Sequence, residues 1–346
     1  MNSFRTNTLT YMPALDGLRA IAVFMVFVIH ALPRSGFPGG LGVDIFFVIS
    51  GYLITSILVK EHQKSGTVDL PDFYIKRLLR LYPALILMIA VCVPAFFLLI
   101  GSWKTALLSF AAAITYTTNI VLTVFDLSGI GIVSHTWSLS MEEQYYLIWP
   151  LLLLASFRHS SRTAIATILI ILTISSLTGW YFFGKESPFS PLLKLGGLAI
   201  GSLFAIYSKQ LERSSNLLVF PSLLAILAAI IGESIGFLHR SITLPIVTLA
   251  SPFLVLYLAT HGSGVLVKAL SNQVLVFVGV LSYSFYLWHY PILYMLKSAA
   301  LPSWLHFTCG LALTSLFTLF SYFLLELPIQ KNRPELVKRI RKFLKL

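Results

Sequence analysis

The sequence predicts an all-α fold: a polytopic membrane helical bundle of about ten transmembrane helices, plus one re-entrant or interfacial segment near residues 105–124. Three observations lead there. The 346-residue chain is 57% hydrophobic and only 11% charged, too little charge to cover a water-soluble globule. Its apolar runs recur at lengths near the ~20 residues that a helix needs to cross a bilayer. Its basic residues collect in alternate connections, as the positive-inside bias requires. Residues 1–330 read as one membrane domain and 331–346 as a basic amphipathic tail.

Eleven apolar segments can be drawn, at roughly 14–32, 41–59, 81–100, 105–124, 141–156, 163–183, 190–208, 217–236, 242–260, 275–297 and 303–326. The first has no small-residue cleavage site behind it and is expected to be a retained span rather than a removed signal peptide. The connection after the second holds Lys60, Lys64, Lys76, Arg77 and Arg80. That connection is expected to be cytoplasmic, and the N-terminus with it. If segment 105–124 does not cross, Arg158, Arg162, Lys209, Arg213, Lys268 and the seven basic residues of the tail fall inside, and only Lys185, Arg240 and Lys297 fall outside. If it crosses, the ratio inverts. The segment is also the most polar of the set, with Thr105, Ser109, Thr115, Thr117, Thr118 and Asn119. Both points make it non-spanning and put both termini in the cytoplasm. The tail "ELVKRIRKFLKL" places Leu336, Ile340, Phe343 and Leu344 on one helical face among basic residues, which suits an anionic inner leaflet. The net charge of +12 therefore records membrane anchoring rather than nucleic-acid binding. Cys92 and Cys309 lie in apolar runs without ligand spacing, so they read as buried thiols, with no disulfide framework and no metal site.

Charge inside the apolar segments carries the functional signal. In "ALDGLRAIAVFMVFVIHALPR", Arg19 and His30 are eleven residues apart, so they share a helix face and stand ~16 Å apart along its axis. Ionisable groups at such depth face a bundle interior or a watery path, unless they snorkel separately to the two interfaces. In "FYIKRLLRLYPAL", Arg77 and Arg80 share a face, and paired guanidinium forks suit phosphates. Toward the outer side, Asp44 in "GGLGVDIFFVISGYLI" could orient His30 and raise its basicity. "SHTWSLSMEEQYYLIWP" adds His135, Trp137, Ser138, Ser140, Glu142 and Glu143, and one glutamate is expected to point inward. "LSYSFYLWHYPILY" adds Tyr283, Tyr286 and Tyr290 with His289 beside them. Glu326 ends the last segment and is a candidate partner for an inner arginine. The pattern is polar at two levels: arginines at a cytoplasmic mouth, histidines and carboxylates at an outer one.

These elements resemble the integral membrane acyltransferase-3 family, which includes bacterial surface-polysaccharide and peptidoglycan O-acetylases. The matching stretches are "LDGLRAIAVFMVFVIH", "GVDIFFVISGYLI", "FYIKRLLRLYP", "HTWSLSMEEQYYLIWP" and "LSYSFYLWHYPI", in family order from residue 15 to about 292. The resemblance implies transfer of a short acyl group, usually acetyl from cytoplasmic acetyl-CoA, to a hydroxyl of a cell-surface glycan or glycolipid such as a polysaccharide or lipopolysaccharide. It implies a multi-pass protein of the bacterial inner membrane with about ten spans, with Arg19 and His30 as an essential pair, Arg77 and Arg80 as a basic motif, and Glu142 as the glutamate of the WSLSxE pattern. Many relatives add an eleventh span and an external hydrolase-like domain. This sequence ends about twenty residues after its last apolar segment, so the expectation is that the membrane domain completes transfer itself or hands the acyl group to a separate extracytoplasmic protein.

The expected catalytic set is His30, Asp44 and Glu142, with Arg19, Arg77 and Arg80 holding a short acyl-CoA co-substrate. Trp137, Ser138, Tyr286 and His289 are the weaker candidates for acceptor binding, and no metal is expected. Oriented by Asp44 or Glu142, His30 would deprotonate the acceptor hydroxyl, or else carry the acyl group itself. Expected partners are the acyl-CoA donor, a glycan or lipid-linked glycan, and membrane lipids. The rival classes are a transporter or flippase of glycan precursors, against which the lack of an internal repeat argues, and a sensor or scaffold in which the buried charges only stabilise.

Overall fold

The computed structural model describes residues 11–100, 102–124, 128–158, 162–184 and 189–344. Lys185 and Lys345, both used in the charge argument, lie outside them. Among the described residues every regular element is helical. Helix α1 (Pro13–Ala31) begins with proline at its first position, where no backbone N–H is needed, and leads through a tight connection into α2 (Leu41–Ser65). Gly66, at φ 75°, ends α2 in the left-handed conformation that glycine adopts without strain. Helix α3 (Leu70–Ile100) starts some eleven residues before its apolar segment, because "DFYIKRLLRLYP" is already helical. Arg77 and Arg80 are therefore inside a membrane-length helix rather than in the connection before it.

The polar stretch near 105–124 breaks in two. Helix α4 (Trp103–Ile114) is followed at Tyr116, which has a φ of 51°, by a turn into α5 (Thr118–Val124). At 1.5 Å per residue neither piece crosses a bilayer. A 3-10 stretch over Ser128–Thr136 then feeds α6 (Trp137–Arg158), and α7 (Arg162–Phe183) follows. Segment 190–208 is also divided, into α8 (Pro191–Lys194) and α9 (Gly196–Ile206). Helices α10 (Ser208–Ser234) and α11 (Arg240–Thr260) form a long pair, and α12 (Val265–Leu270) is a short connector. Helices α13 (Gln273–Val280) and α14 (Ser282–Lys297) are bent by 67° at Leu281. Helix α15 (Ser303–Ser321) runs through a π turn at Tyr322–Glu326 into α16 (Leu327–Lys331) and the tail helix α17 (Arg333–Leu344).

Seven of these helices are long and apolar enough to cross a membrane, or eight if the bent α13–α14 pair counts as one span. The expected ten is thus not reached on length and composition. Helix α6 has 22 residues, but its first half carries Glu142, Glu143 and Gln144, and α9 has only 11.

Helix α1 is the central element, packed against α2, α11, α12, α13, α14 and α15. One core joins α1 and α2 to α9, α10 and α11; a second joins them to α6, α7 and α14; a third lies between α3, α4 and α14. Small residues set the closest approaches, as expected where packing rather than water drives helix association. A Cβ on Gly51 of α2 would stand 2.1 Å from the Leu198 carbonyl oxygen of α9, and one on Gly201 would stand 2.2 Å from that of Val48. The tail packs on α3, with Val337 buried and Leu336 and Ile340 half-buried, and Arg341 pairs with Asp69 at 2.6 Å. The expected apolar face is therefore divided, because Phe343 and Leu344 point away from the protein. Of the two free thiols, Cys92 is buried and Cys309 only half-buried.

Gly201→Ala should lower stability by about 1–3 kcal/mol, the usual cost of overpacking, whereas Gly262→Ala, with open space around it, should be neutral; thermal unfolding in nanodiscs compares them. Asp69 is held below the usual carboxylate range, first by the Asp72 backbone N–H and then by Arg341. Its clasp on the tail is therefore present above the ordinary aspartate value near 3.9 and lost as pH falls through the lower native one. Proteolysis of the tail in vesicles should accordingly be unchanged from pH 7 to 5 and rise in Asp69→Asn.

Candidate active site

Three polar layers cross the bundle. The first is built on arginine. Arg19 lies one turn from Asp16 on α1, at 3.7 Å, and Arg77 of α3 binds Glu143 of α6 through Nε at 2.9 Å and Nη2 at 2.8 Å. The Arg77 guanidinium also lies 3.4 Å from the centre of the Tyr146 ring. Arg80 sits within repulsive range of Arg19 and Arg77, is exposed, and makes no ion pair among the described residues. Glu326 does not pair with it: its carboxylate accepts from Ser284 and Ser321. Asp16 and Glu143 are each committed to one cation, and Arg80 stands on the open side of this layer without a direct ion pair among the described residues.

Glu142 belongs to the same layer. It accepts from Ser50 of α2 at 2.9 Å and feels the charges of Arg77 and Arg19. The expected support of His30 by Glu142 is not the arrangement found, because one helical turn along α6 separates Glu142 from Ser138, where that helix meets the histidines. Of the two glutamates, Glu143 is the one that closes an ion pair. The sequence could have pointed to it only through knowledge of which residue on α3 faces α6.

The second layer holds His30, His135 and His289. The bend before α14 aims Tyr286, His289 and Tyr290 at the end of α1. His289 Nδ1 donates to the Tyr286 carbonyl oxygen at 2.6 Å, so its neutral ring accepts at Nε2. His30 Nδ1 lies 3.0 Å from that nitrogen and must be the donor. This run of hydrogen bonds assigns the tautomer of His30, whose Nε2 has no hydrogen-bond partner among the described residues. Tyr290 packs edge-on against His30, with ring centres 4.8 Å apart, and stacks on His135 at 5.1 Å. His135 Nε2 donates to the Leu287 carbonyl at 3.2 Å; its Nδ1 is buried with no partner among the described residues. The Tyr286 hydroxyl donates to the His135 carbonyl at 2.6 Å and therefore accepts from Ser138, at 2.7 Å. Ser138, Tyr286 and His289 thus converge as a group around His30. His135 joins them as a second free imidazole nitrogen, although nothing in its sequence neighbourhood ranked it above the others.

The third layer contains Asp44, and here the expectation fails. Its side chain, only 4% exposed, bonds Arg240 at 2.9 Å and Lys194 at 3.3 Å rather than His30. Both cations come from elements distant in sequence, α11 and α8, and a buried carboxylate takes the nearest full charges before a neutral ring. The position expected for Asp44 beside His30 is occupied by His289. Trp137 starts α6 between this layer and the histidines.

A helical membrane bundle that encloses arginines and carboxylates near one end and a histidine cluster near the other defines a class: a membrane protein with ionisable groups buried at two levels of one bundle. The chain belongs to the acyltransferase-3 family, whose acyltransferase domain matches residues 12–324. It is therefore a multi-pass membrane protein. It is 33% identical over 356 aligned positions to the O-acetyltransferase OatA of Staphylococcus aureus strain NCTC 8325 / PS 47, covering 93% of this chain and 58% of that protein. The OatA of strain COL matches with the same identity and coverage. This chain thus spans well under two thirds of the length of these relatives. No solved structure matches it.

Removing one partner of the Arg77–Glu143 pair strands a charge, so Glu143→Ala should cost about 3–5 kcal/mol, whereas Glu142→Gln, which keeps the shape and loses at most one hydrogen bond to Ser50, should cost about 1 kcal/mol. Denaturation of both variants in the same detergent checks the order.

Proposed function

We propose that this chain is an O-acetyltransferase of the bacterial cytoplasmic membrane that moves an acetyl group from cytoplasmic acetyl-CoA to a hydroxyl of a cell-surface glycan or glycolipid, with His30 as general base. The family membership and the names of the OatA relatives support the reaction class. The observation that carries the role of His30 is its tautomer: Nδ1 is committed to His289, and Nε2 keeps its lone pair. In this reading the end of the bundle bearing the tail and the α2–α3 connection faces the cytoplasm, and both termini lie there. Counting α6, the α8–α9 segment and the bent α13–α14 pair with the seven long helices gives about ten crossings.

Acetyl-CoA supplies an activated acyl thioester and several phosphates. Arg80, exposed and unpaired among the described residues, fits a phosphate, with Arg19 and Arg77 adding field. Arg19 and His30 stand ~16 Å apart along α1, so a donor anchored at the arginines extends its acyl end toward the histidines. His30 Nε2 takes the proton of the acceptor hydroxyl as its oxygen bonds the acyl carbon. The carbon–sulfur bond breaks, and the imidazolium returns its proton to the sulfur. His289 holds the His30 ring in the productive tautomer, and the Ser138–Tyr286 pair, bonded to the His135 carbonyl, ties α6 to α14 beside it.

The test is thiol release from acetyl-CoA, with label transfer to a mixed glycan extract, by protein in nanodiscs. His30→Ala should lose about 10²–10⁴-fold in rate, and His289→Ala should lose a smaller factor, because it frees the tautomer without removing the base. Full transfer by His30→Ala would overturn the role of His30. Glycan movement without thiol release would assign the protein to transport.

A further inference from the structure

The Asp44 layer forms one side of a cavity of about 520 Å3, within the size range of small-ligand sites. It opens at the end of the bundle where α1 finishes, and Ile29, the neighbour of His30, is part of its wall. Its lining combines aromatic surface from Trp137, Trp180 and Phe189 with the charged heads of Lys194, Arg240 and Glu233. The aromatic groups are fixed in place. Lys194 Nζ stands 3.9 Å from the centre of the Trp180 ring and 5.9 Å from that of Trp137, and Phe189 packs on Trp137 with ring centres 5.6 Å apart.

The charges are fixed too, and they cancel. Arg240 bonds Asp44 at 2.9 Å and Glu233 at 3.5 Å, Lys194 bonds Asp44 at 3.3 Å, and Thr243 donates to Glu233. Among the described residues, two cations therefore face two carboxylates. A charged ligand would bring in a charge with no counter-ion, at a desolvation cost, whereas hydroxyl groups can share the hydrogen-bonding capacity that remains on Arg240 and Glu233. Flat aromatic faces next to fixed donors and acceptors suit a ring with an apolar C–H face and an equatorial fringe of hydroxyls.

Resting on the acyl-transfer reading for its purpose, we infer that this cavity is the acceptor site and that it takes an uncharged pyranose unit of a glycan. Trp137 joins it to the histidine layer, one residue before Ser138 and two after His135. His30 is not itself part of the wall, and a sugar bound there lies beside the histidine layer with Trp137 between them.

Binding can be tested without any acyl donor, which separates this inference from the proposed reaction. The probes are radiolabelled chitotetraose and cellotetraose, both uncharged, and tetragalacturonate, an anionic control, in equilibrium binding to full-length protein in nanodiscs. At least one neutral probe should bind saturably to wild type and roughly tenfold more weakly to both Trp180→Leu and Phe189→Ala, with tetragalacturonate not binding. Should Trp180→Leu fail to elute as a single folded species, Phe189→Ala at the rim decides alone. The inference is overturned if neither neutral sugar binds wild type, if the variants bind them undiminished, or if only tetragalacturonate binds. Acyl transfer with no sugar bound in this cavity would leave the reaction standing and place the acceptor elsewhere.

Discussion

The rest of the structure depends on the enclosure of α1. A helix that carries Arg19 and His30 cannot face lipid with either residue except at high cost, so it must be surrounded. Helices α2, α11, α12, α13, α14 and α15 all pack on it. The bend at Leu281 follows from the same constraint. It lets α13 approach the start of α1 so closely that a Cβ on Gly279 would overlap the Asp16 carbonyl oxygen at 1.9 Å, while α14 turns away to deliver His289 to the other end. The single helix α1 thus touches both the arginine layer and the histidine layer, and holds them at a fixed separation.

The buried charges are resolved in three different ways. Arg77 and Glu143 cancel as a direct pair, and the Tyr146 ring face lies against the guanidinium. Asp44 is shared between two cations, which leaves its layer neutral and rigid. The histidines are organised through hydrogen bonds to one another and to backbone carbonyls: His30 and His135 use one ring nitrogen each, and His289 uses both. The arginine layer sets Asp16, Glu142 and Glu143 beside its three arginines, and Arg80 is the cation there that makes no direct ion pair among the described residues. Full pairs rigidify, imidazoles can exchange protons, and an unpaired guanidinium keeps its donors open. The three layers are therefore suited to different tasks along one axis.

The segments that fail as plain spans are also the ones that build these layers. Helix α6 falls short in hydropathy because its first half carries Glu142, Glu143 and Gln144; α8 is short, and supplies Lys194; the α13–α14 pair is bent, and supplies His289. Irregular or polar backbone at membrane depth is tolerated where protein surrounds it, and α9 is packed between α2, α7 and α11. A count of spans based on length and apolarity alone undercounts such elements.

Composition, apolar run length and the placement of charge were enough to establish that this is an all-helical membrane chain, to single out Arg19, His30, Arg77 and Arg80, and to mark 105–124 as different. Those properties are local, because lipid acts on each segment separately and makes each charge conspicuous. Partnership was not legible. That Asp44 serves Arg240 and Lys194, that Glu143 rather than Glu142 holds Arg77, and that His289 stands where a carboxylate was expected beside His30 depend on helices 66 to 259 residues apart in the chain. One hundred degrees of helix rotation would change any of those partners without altering a residue, and a straight α13–α14 pair would carry His289 away from His30. The sequence determined which groups are costly to leave alone in a membrane; the packing angles of the helices decided which of them meet.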